Sequence, residues 1–474
     1  MSLPRLLDDL AVNTVEWTAR KIQRRVPFSP SNSFLEGPYA PVREERTETK
    51  LRVTGSIPPE LNGLYARIGP NPMQVENPAA YHWFTGDGMV HGIRLQDGKA
   101  LEYRNRWVGT RAVTRKLGRP TIDGSGPFDV VNTNIIGHGG KLWALVEGGP
   151  MPAELDAELN TVKRGLFDSG LHKGYSAHPH RDPVTGDLHA ICYSVAAPNR
   201  IHHVVTNSQC QITRITPIPV SHGPMVHDCA ITASQVVVMD FPVTLTPLDF
   251  LKGSPFPYRW NEKHRARVGL LPMQGDASQM RWFEVEPCYV FHTGNAVDRA
   301  DGGVVIDVVV HARVFGSSAQ DLGRSAVRLE RWTLDPQRRD VQRQLLSDRQ
   351  QEFPRYDERR TGQDYRYLYT VGFDTTTPSP QPLFRHDLHT GTVQEHHYGQ
   401  HGLSGEVVFV PRNANSAEDD GWLLSYVYDL EKERSDLVIL NAQDVGGEPQ
   451  AIVHLPVRVP LGFHGNWIAD AAMS

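Results

Sequence analysis

The chain has 474 residues, with 49 lysines and arginines against 54 aspartates and glutamates, so its formal net charge is −5. This balance excludes the basic surface that nucleic-acid binding requires, and 39% hydrophobic residues indicate a folded globular protein. No run of eighteen apolar residues is present to cross a membrane, and the four cysteines, which form no C-x-x-C pair, indicate reduced thiols in a cytoplasmic protein.

Residues 1–33 predict an amphipathic helical arm. Leu3, Leu7 and Leu10 recur on one helical face, basic residues collect toward residue 25, and Pro27 ends the helix. Acidic residues interrupt the leucines and no longer apolar run follows, so we expect no signal peptide. Two roles stay open: the helix packs against the rest of the protein, or it lies in a membrane surface with its basic end near anionic lipid.

Residues 34–474 predict a single all-β domain, because short apolar runs alternate with tight-turn pairs along their length. The runs 89–95 and 100–107, for example, flank Asp97-Gly98, a pair that favours a two-residue hairpin. So many hairpins fit a β-propeller better than a sandwich, because a propeller accommodates a large number of strands by repeating a small sheet around a central axis. No strict repeat marks the blades, so the pattern alone does not give their number.

Two stretches interrupt the hairpins. Residues 240–269 place aromatic side chains, including Phe256 and Tyr258, among prolines, and residues 316–324 are polar. An insertion rich in aromatic residues either covers a site or touches a membrane, or else it packs on one face of the propeller. The sequence leaves these alternatives open.

Four of the 21 histidines differ from the others because each lies at a strand end or turn beside bulky apolar residues. They are His178, His227, His292 and His464. Widely spaced ligands suit a site on a propeller axis, where each blade contributes one residue of its inner strand. Spacing alone, however, leaves two alternatives: a metal site, or a metal-free propeller that serves as a binding scaffold.

Several motifs of the chain resemble those of one known family. They are residues 65–72 (YARIGPNP), 81–89 (YHWFTGDGM), 177–179 (AHP), 352–355 (EFPR) and 462–467 (GFHGNW), with the segments around His227 and His292 between them. They follow the order found in the carotenoid cleavage oxygenase family, also called retinal-pigment-epithelium-65-like proteins. The similarity extends from about Phe34 to Trp467, and it points to a bacterial-type carotenoid or apocarotenoid dioxygenase.

The resemblance implies a seven-bladed β-propeller with an iron site on its axis and a few helices and loops capping one face. One Fe(II) per chain is expected, with O2 as co-substrate, and histidines alone bind the metal. Carried over motif by motif, the ligands are His178, His227, His292 and His464. Neutral imidazoles suit ferrous iron, and coordination positions left open accept O2.

The family also places three glutamates behind the histidines, where each accepts the distal ring N–H and fixes the orientation of the imidazole. By resemblance, Glu147 holds His227, Glu352 holds His292 and Glu406 holds His464.

Further positions follow from the same resemblance. Thr133 matches a threonine whose methyl group faces the iron and blocks one coordination position. Phe84, Trp107, Val146 and Phe291 are expected by position to line the substrate tunnel.

Two of these positions separate branches of the family. Stilbene-cleaving members carry a lysine directly before the first of the three glutamates and a tyrosine in the strand after the Gly-Asp-Gly-Met segment, and together these bind a phenol. In this chain the positions are Val146 and Trp107. A site that lacks those polar groups gives up the discrimination that hydrogen bonds to a substrate hydroxyl provide, so the carotenoid branch is favoured.

The expected function is therefore that of a non-haem Fe(II)-dependent dioxygenase that splits one C=C bond of a carotenoid or apocarotenoid with O2 into two carbonyl products. The alternatives are a stilbenoid dioxygenase of the lignostilbene type, a polyene isomerase and the metal-free scaffold. The expected partner is an apolar polyene, and no nucleic acid or protein partner is implied. The protein is expected in the cytoplasm, and peripheral contact with a membrane stays open.

Overall fold

Antiparallel sheets dominate the computed structural model, which describes residue 18 and residues 21–126, 129–165, 174–254, 256–316, 318, 321–322, 327–372, 374 and 379–472. Within these residues, 33 strands form seven sheets of four to six strands and one two-stranded ribbon. The seven sheets are the blades of a β-propeller. The all-β prediction and the seven blades implied by the family resemblance are both confirmed.

The first three blades follow in chain order. The first strands are β1 (Arg46–Glu48), β2 (Arg52–Gly55), β3 (Gly63–Pro70), β4 (Gly88–Gln96) and β5 (Lys99–Trp107), of which all but β2 belong to blade 1. Blade 2 contains β6 (Asn134–His138), β7 (Lys141–Leu145), β8 (Ala153–Leu155) and β9 (Thr161–Arg164). Blade 3 contains β10 (His180–Arg181), β11 (Leu188–Cys192), β12 (Arg200–Thr206) and β13 (Ile212–Pro219).

Blade 4 carries the ribbon. It contains β14 (Cys229–Ile231) and β15 (Gln235–Asp240), then the ribbon strands β16 (Val243–Leu245) and β17 (Tyr258–Trp260), then β18 (Arg267–Pro272) and β19 (Arg281–Glu284). Blade 5 contains β20 (Tyr289–Asp298), β21 (Val304–His311), β22 (Val327–Leu334) and β23 (Gln342–Ser347).

The last two blades complete the ring. Blade 6 contains β24 (Gln351–Arg355), β25 (Tyr367–Gly372), β26 (Leu383–Asp387) and β27 (Thr392–His396). Blade 7 contains β28 (Gly402–Ser404), β29 (Val408–Pro411), β30 (Gly421–Asp429), β31 (Arg434–Asn441) and β32 (Ala451–His454), and the final strand is β33 (Gly465–Ala469).

Helices are short within the described residues. The α-helices that lie wholly within the described residues are α1 (Arg111–Lys116) and α2 (Pro247–Leu251), and the 3-10 helices are Ser33–Leu35, Gly37–Tyr39, Pro78–Ala80, Trp83–Thr85, Ala277–Gln279, Glu358–Arg360 and Asp470–Ala472. None of the helices in the described part of the chain has the length and apolar character needed to span a bilayer.

Tight turns shape the hairpins as the sequence predicts. Asp97 and Gly98, between β4 and β5, have φ angles of +49° and +72°, and Gly139 and Gly140, between β6 and β7, have φ angles of +59° and +70°. Two successive positive φ angles match the right-handed twist of the flanking strands. Glycine adopts them without steric cost, so these residues determine where the strands reverse.

The ring is closed at both ends of the chain. Strand β2 pairs with β32 and completes blade 7, with Val53 opposite Val453, and β33 pairs with β3 inside blade 1, with Trp467 opposite Tyr65. Each closing strand joins segments that lie far apart in the sequence, so the propeller is complete only when both pairings form.

The innermost strands of the blades meet at the centre of the propeller. Among them, β10 contacts β14, β14 contacts β20, β20 contacts β24, and β33 contacts β6. Side chains at the start of these strands therefore meet, although they come from separate parts of the sequence.

The 240–269 insertion forms the ribbon and α2. Leu245 on β16 pairs with Tyr258 on β17, and Phe256 and Tyr258 are only 8% and 5% exposed. Their burial shows that these aromatic rings face the protein, so this part of the insertion covers the propeller.

The predicted N-terminal helix falls mostly on residues outside the described set. Residues 21–23 are helical, and the segment then reaches the ribbon insertion, where Arg25 Nη1 donates a hydrogen bond to the carbonyl oxygen of Leu251 at 3.1 Å. Most of the 316–324 stretch also lies outside the described residues.

Candidate metal centre

Four imidazoles from four blades converge at the centre of the propeller. His178 lies two residues before β10, His227 two residues before β14, His292 within β20 and His464 directly before β33. Nε2 of His292 lies 3.3 Å from Nε2 of His227 and 3.2 Å from Nε2 of His464. One nitrogen of each of the four rings lies within 4.8 Å of the others, so the group has the ligand count and spacing of a metal site.

The donor set matches a divalent transition metal. Nε2 of His178 is buried and finds no hydrogen-bond partner among the described residues, an arrangement that is costly unless another group satisfies the nitrogen. An ion among the four nitrogens would satisfy it, and all-imidazole coordination suits iron and its neighbours in the periodic table.

Burial keeps the His178 ring neutral. Desolvation, together with the surrounding histidines His464, His227 and His292, lowers the pKa of His178 well below its usual value. A neutral imidazole presents a lone pair, which is the form that binds a metal.

Three glutamates bind the far side of the rings. The Nδ1 hydrogen bonds are His227 to Glu147 at 2.8 Å, His292 to Glu352 at 2.7 Å and His464 to Glu406 at 3.0 Å. Since a carboxylate only accepts, each Nδ1 carries the proton and each Nε2 lone pair is left for the centre. The structure thus brings together the four histidines and three glutamates that the sequence motifs select.

Two of the glutamates have further partners that the sequence did not reveal. His311 Nε2 donates to Glu352 at 2.8 Å, and Arg355 Nη1 donates to Glu406 at 3.3 Å. Although burial opposes ionisation, the charge of Arg355 and the hydrogen bond from His464 lower the pKa of Glu406 to about 2. Arg355 lies in the EFPR motif, but only the folded structure shows which carboxylate it contacts.

Thr133 lies directly before β6, beside the centre. Its carbonyl oxygen accepts a hydrogen bond from the backbone N–H of His464 at 3.1 Å, and its hydroxyl donates to Asn132 Oδ1 at 3.0 Å. The hydroxyl is therefore engaged with the protein. Thr133 also lines the adjoining cavity, and the expected direction of its methyl group stays a prediction.

A cavity of about 960 Å³ opens onto the centre. Three of the predicted tunnel residues, Phe84, Val146 and Phe291, lie on its wall. The centre contributes His227, His292, His464, Glu147 and Glu352, and other wall residues are Trp83, Tyr193, Phe256, Tyr258, Phe353 and Phe463. The wall is mostly apolar, so a bound molecule would lose its contact with water.

Trp107 does not line this cavity as the described residues define it, so the expectation for this residue is wrong. Its side chain is 4% exposed at the end of β5, packs with Met89 and Val113, and donates its indole N–H to the carbonyl oxygen of Asn71 at 2.9 Å. The position of Trp107 along β5 led us to expect it on the cavity wall. The pleat of the strand instead directs its ring toward the side chains that pack beside β4.

Sequence reasoning missed Tyr193 and Tyr258 as residues of the cavity wall. Tyr258 belongs to the aromatic insertion, while Tyr193 follows β11. Their rings meet edge to face at 6.1 Å. Nothing in the local pattern distinguishes a cavity-facing tyrosine from one packed in the core, so only the aromatic character of the insertion gave a hint.

A second cavity of about 600 Å³ touches the centre and is more polar. His178, His292 and His464 contribute to its wall together with His180 and Arg355. Nε2 of His180 donates to Asp228 Oδ1 at 2.8 Å. His180 is therefore engaged elsewhere and does not belong to the group of four converging imidazoles, although it lies two residues from His178.

A propeller whose inner strands direct four histidines to one point, three of them held by glutamates, defines a class of all-histidine metalloproteins. The sequence matches the family model described as Retinal pigment epithelial membrane protein over residues 39–469. The chain belongs to this family.

Curated relatives and solved structures agree over nearly the whole chain. The carotenoid cleavage oxygenase of Mycobacterium tuberculosis is 40% identical, covering 92% of this chain and 97% of that protein. The carotenoid 9,10(9',10')-cleavage dioxygenase 1 of Pisum sativum is 31% identical, covering 92% of this chain and 90% of that protein. The lignostilbene dioxygenase of Pseudomonas brassicacearum is a structural match with a TM-score of 0.83 and 28% identity, covering 94% of this chain and 100% of that chain.

Proposed function

We propose that the protein is a non-haem dioxygenase, dependent on one Fe(II) per chain, that cleaves one C=C bond of a carotenoid or apocarotenoid with O2 to give two carbonyl products. The observation that carries the proposal is the position of the four converging histidines at an apolar cavity of about 960 Å³. The relatives named as carotenoid cleavage enzymes support the same reaction.

The histidines and glutamates have defined tasks in this proposal. His178, His227, His292 and His464 hold a ferrous ion, which supplies the binding and activation of O2. The glutamates behind three of the rings keep the proton on Nδ1 and prevent the imidazoles from turning. Both atoms of O2 enter the products as the C=C bond is replaced by two C=O bonds, with no net proton gained or lost, so the side chains chiefly bind and orient.

The cavity selects and aligns the substrate. Its volume of about 960 Å³ lies at the upper end of small-molecule pockets, which span roughly 300–1,000 Å³, and so favours a large molecule. Burial of a polyene contributes roughly 25 cal/mol per Å² of apolar surface. The aromatic walls, including Phe84 and Phe291, hold the chain rigidly, and alignment of one double bond removes several kcal/mol of the barrier.

The mouth of the cavity suits a protein that takes its substrate from a membrane. Val195 and Leu251 line the cavity and are 46% and 52% exposed, and Leu248 is 65% exposed on the same helix as Leu251. Arg25 hydrogen-bonds to the backbone of Leu251 and places a cation beside these leucines. In this proposal the protein is cytoplasmic and contacts the membrane peripherally here, where carotenoids dissolve.

A stilbenoid substrate is the second candidate. Two phenols, Tyr193 and Tyr258, line the cavity and offer polar contacts to a phenolic substrate that the sequence did not predict. Val146 also lines the cavity and provides no ammonium group. The structural match to a lignostilbene dioxygenase supports this alternative, while the size and apolar walls of the cavity favour the polyene.

One reconstitution separates the candidates. The metal-free protein is loaded anaerobically with Fe(II), and then given a carotenoid and apocarotenoid panel or 4-hydroxystilbene under 18O2. We expect iron in equal ratio to the chain, and polyene aldehydes that each carry one labelled oxygen by mass spectrometry. Faster cleavage of the stilbene would reverse the order of the two substrates, isomerisation without cleavage would indicate the isomerase, and failure to bind iron would indicate the scaffold.

A further inference from the structure

Most polar side chains on the wall of the large cavity already have hydrogen-bond partners. Thr85 Oγ1 donates to the carbonyl oxygen of His82 at 2.9 Å, and Thr133 Oγ1 donates to Asn132 at 3.0 Å. His227, His292 and His464 bond to their three glutamates, and the second carboxylate oxygen of Glu147 is sealed away from the cavity. These groups are therefore not free to recognise a substrate.

The hydroxyl of Tyr258 differs from these groups and from that of Tyr193, the other phenol on the wall, which lies within hydrogen-bonding reach of Glu147. Tyr258 lines the cavity and is 5% exposed, and among the described residues its hydroxyl has no hydrogen-bond partner. The hydroxyl is not among the polar atoms sealed away from the cavity. The hydroxyl of Tyr258 is therefore available to contact a molecule bound in the cavity.

The ring of Tyr258 is held firmly in place. Phe256 packs against it with ring centroids 5.4 Å apart, and Tyr193 meets it at 6.1 Å with the rings nearly perpendicular. The backbone of Tyr258 is fixed by its pairing with Leu245 across the ribbon. Because little freedom is left to lose, a hydrogen bond from this phenol forms at low entropic cost.

The electrostatics around Tyr258 limit what it can bind. Burial and the nearby charge of Glu147 raise the pKa of Tyr258 above its usual value, so the phenol keeps its proton and acts as a donor. The same negative charge repels an anion at this place. A neutral oxygen is the matching acceptor.

We propose that Tyr258 is a specificity-determining residue that donates a hydrogen bond to a neutral oxygen group, a hydroxyl or carbonyl, of the substrate. The inference rests on the proposed function and narrows its substrate class to oxygenated polyenes or, alternatively, to phenolic stilbenes. An oxygen group that enters an apolar cavity loses its water and needs such a partner, and a wholly hydrocarbon substrate leaves the phenol unpaired.

The test compares wild type and Tyr258→Phe on matched substrates. One pair is an apocarotenoid with a terminal hydroxyl group and its deoxy counterpart of equal length, and the other is 4-hydroxystilbene and stilbene. We expect the variant to lose roughly tenfold or more in kcat/KM on the oxygenated member of the pair that is the true substrate, and to lose clearly less on the deoxy member. If only the apocarotenoid pair shows this difference, the oxygen group belongs to an oxygenated polyene. If only the stilbene pair shows it, the oxygen group belongs to a phenolic stilbene. Affinity of the metal-free protein for each compound, measured by tryptophan fluorescence quenching, should change in parallel.

Tyr175→Phe is the matched control, since the Tyr175 hydroxyl lies 3.2 Å from Thr206 Oγ1 in the protein core, outside the cavity residues. Turnover of the deoxy substrate shows that the Tyr258 variant is folded and has bound iron. Equal loss on both members of a pair, or no loss on either, would overturn the role of Tyr258 while leaving the dioxygenase intact. A wild type that cleaves no member of either pair would instead overturn the proposed function and the inference with it.

Discussion

The four histidines of the metal centre are held in different ways. His227, His292 and His464 each donate Nδ1–H to a glutamate at 2.7–3.0 Å, whereas no carboxylate among the described residues accepts from His178. The orientation of His178 therefore depends on its backbone and on packing against the other rings, whose centroids lie 4.4–5.2 Å away.

Replacing His178 by Ala should abolish turnover and lower the iron content, because four ligands leave no spare donor for the metal. Iron per chain by atomic absorption and product formation are the measurements. His180→Ala is the control: His180 bonds to Asp228, and the variant should keep its iron. Iron retained in His178→Ala but lost in His180→Ala would show that the ligand assignment is wrong.

Replacing Glu352 or Glu406 by Gln should reduce metal affinity or activity by roughly 10–100-fold, because an amide lacks the charge that orients each imidazole. Glu330→Gln is the matched control, since Glu330 is also buried and pairs with Arg343 at 2.7 Å, but lies in blade 5 away from the centre. A competitive chelator titration measures the affinity. Equal affinities in the wild type and both centre variants would contradict the role assigned to the glutamates.

The residues of the site show what motifs convey and what they omit. Glu147, Glu352 and Glu406 were assigned to their histidines because each stands in a recognisable motif. Trp107 was misplaced and Tyr258 was overlooked because cavity walls depend on how strands and insertions pack, which no local pattern records.

At the scale of elements, outer strands carry buried histidines that are neutral when folded. His386 on β26 is 4% exposed and contacts Gln351 Oε1 at 2.7 Å. Burial, with a smaller contribution from Arg349, lowers the pKa of His386 from 6.5 to about 4. The unfolded chain therefore binds a proton between these values while the folded chain does not.

His386 should make the protein less stable as the pH falls from 6.5 to 4, by up to about 3 kcal/mol when the titration is complete. His386→Gln removes the titrating group, so the difference in unfolding free energy between wild type and variant should shift in favour of the variant at low pH. Urea unfolding at several pH values measures it, with His389→Gln, on the exposed turn of the same blade, as the control. A difference that stays constant with pH would contradict the burial argument.

Hairpins were predictable from sequence because their turns are local. Asp97-Gly98 and Gly139-Gly140 supply positive φ angles within two residues, and each fixes the pairing of the strands beside it. The pairing of β2 with β32 joins segments about four hundred residues apart, and it leaves no trace in local composition. The number of blades therefore came from family resemblance rather than from the pattern.

At the scale of the whole molecule, β33 connects the ring to the metal centre. Ile468 on this strand is 3% exposed and packs with Ile68, Val90 and Ile135 from blades 1 and 2. His464 directly precedes the same strand, so closure of the ring also positions a ligand.

Ile468→Ala should therefore destabilise the protein by roughly 2–5 kcal/mol through the cavity it leaves, and should also weaken iron retention. Leu345→Ala is the control, because Leu345 is 53% exposed on β23 and its truncation should change stability by less than about 0.5 kcal/mol. Chemical unfolding and iron retention on dialysis measure the two effects. An Ile468 variant as stable as the Leu345 variant would show that the packing of Ile468 does not contribute to closure of the ring.

The order of the ligands along the chain has a consequence for biosynthesis. His178, His227 and His292 leave the ribosome well before His464, which belongs to the strand that closes the ring. A chain whose ring is still open thus offers three imidazoles at the centre, and the fourth arrives only when β33 pairs with β3. We therefore expect complete coordination of a metal to follow closure of the ring, so that metal content reports whether a molecule has closed.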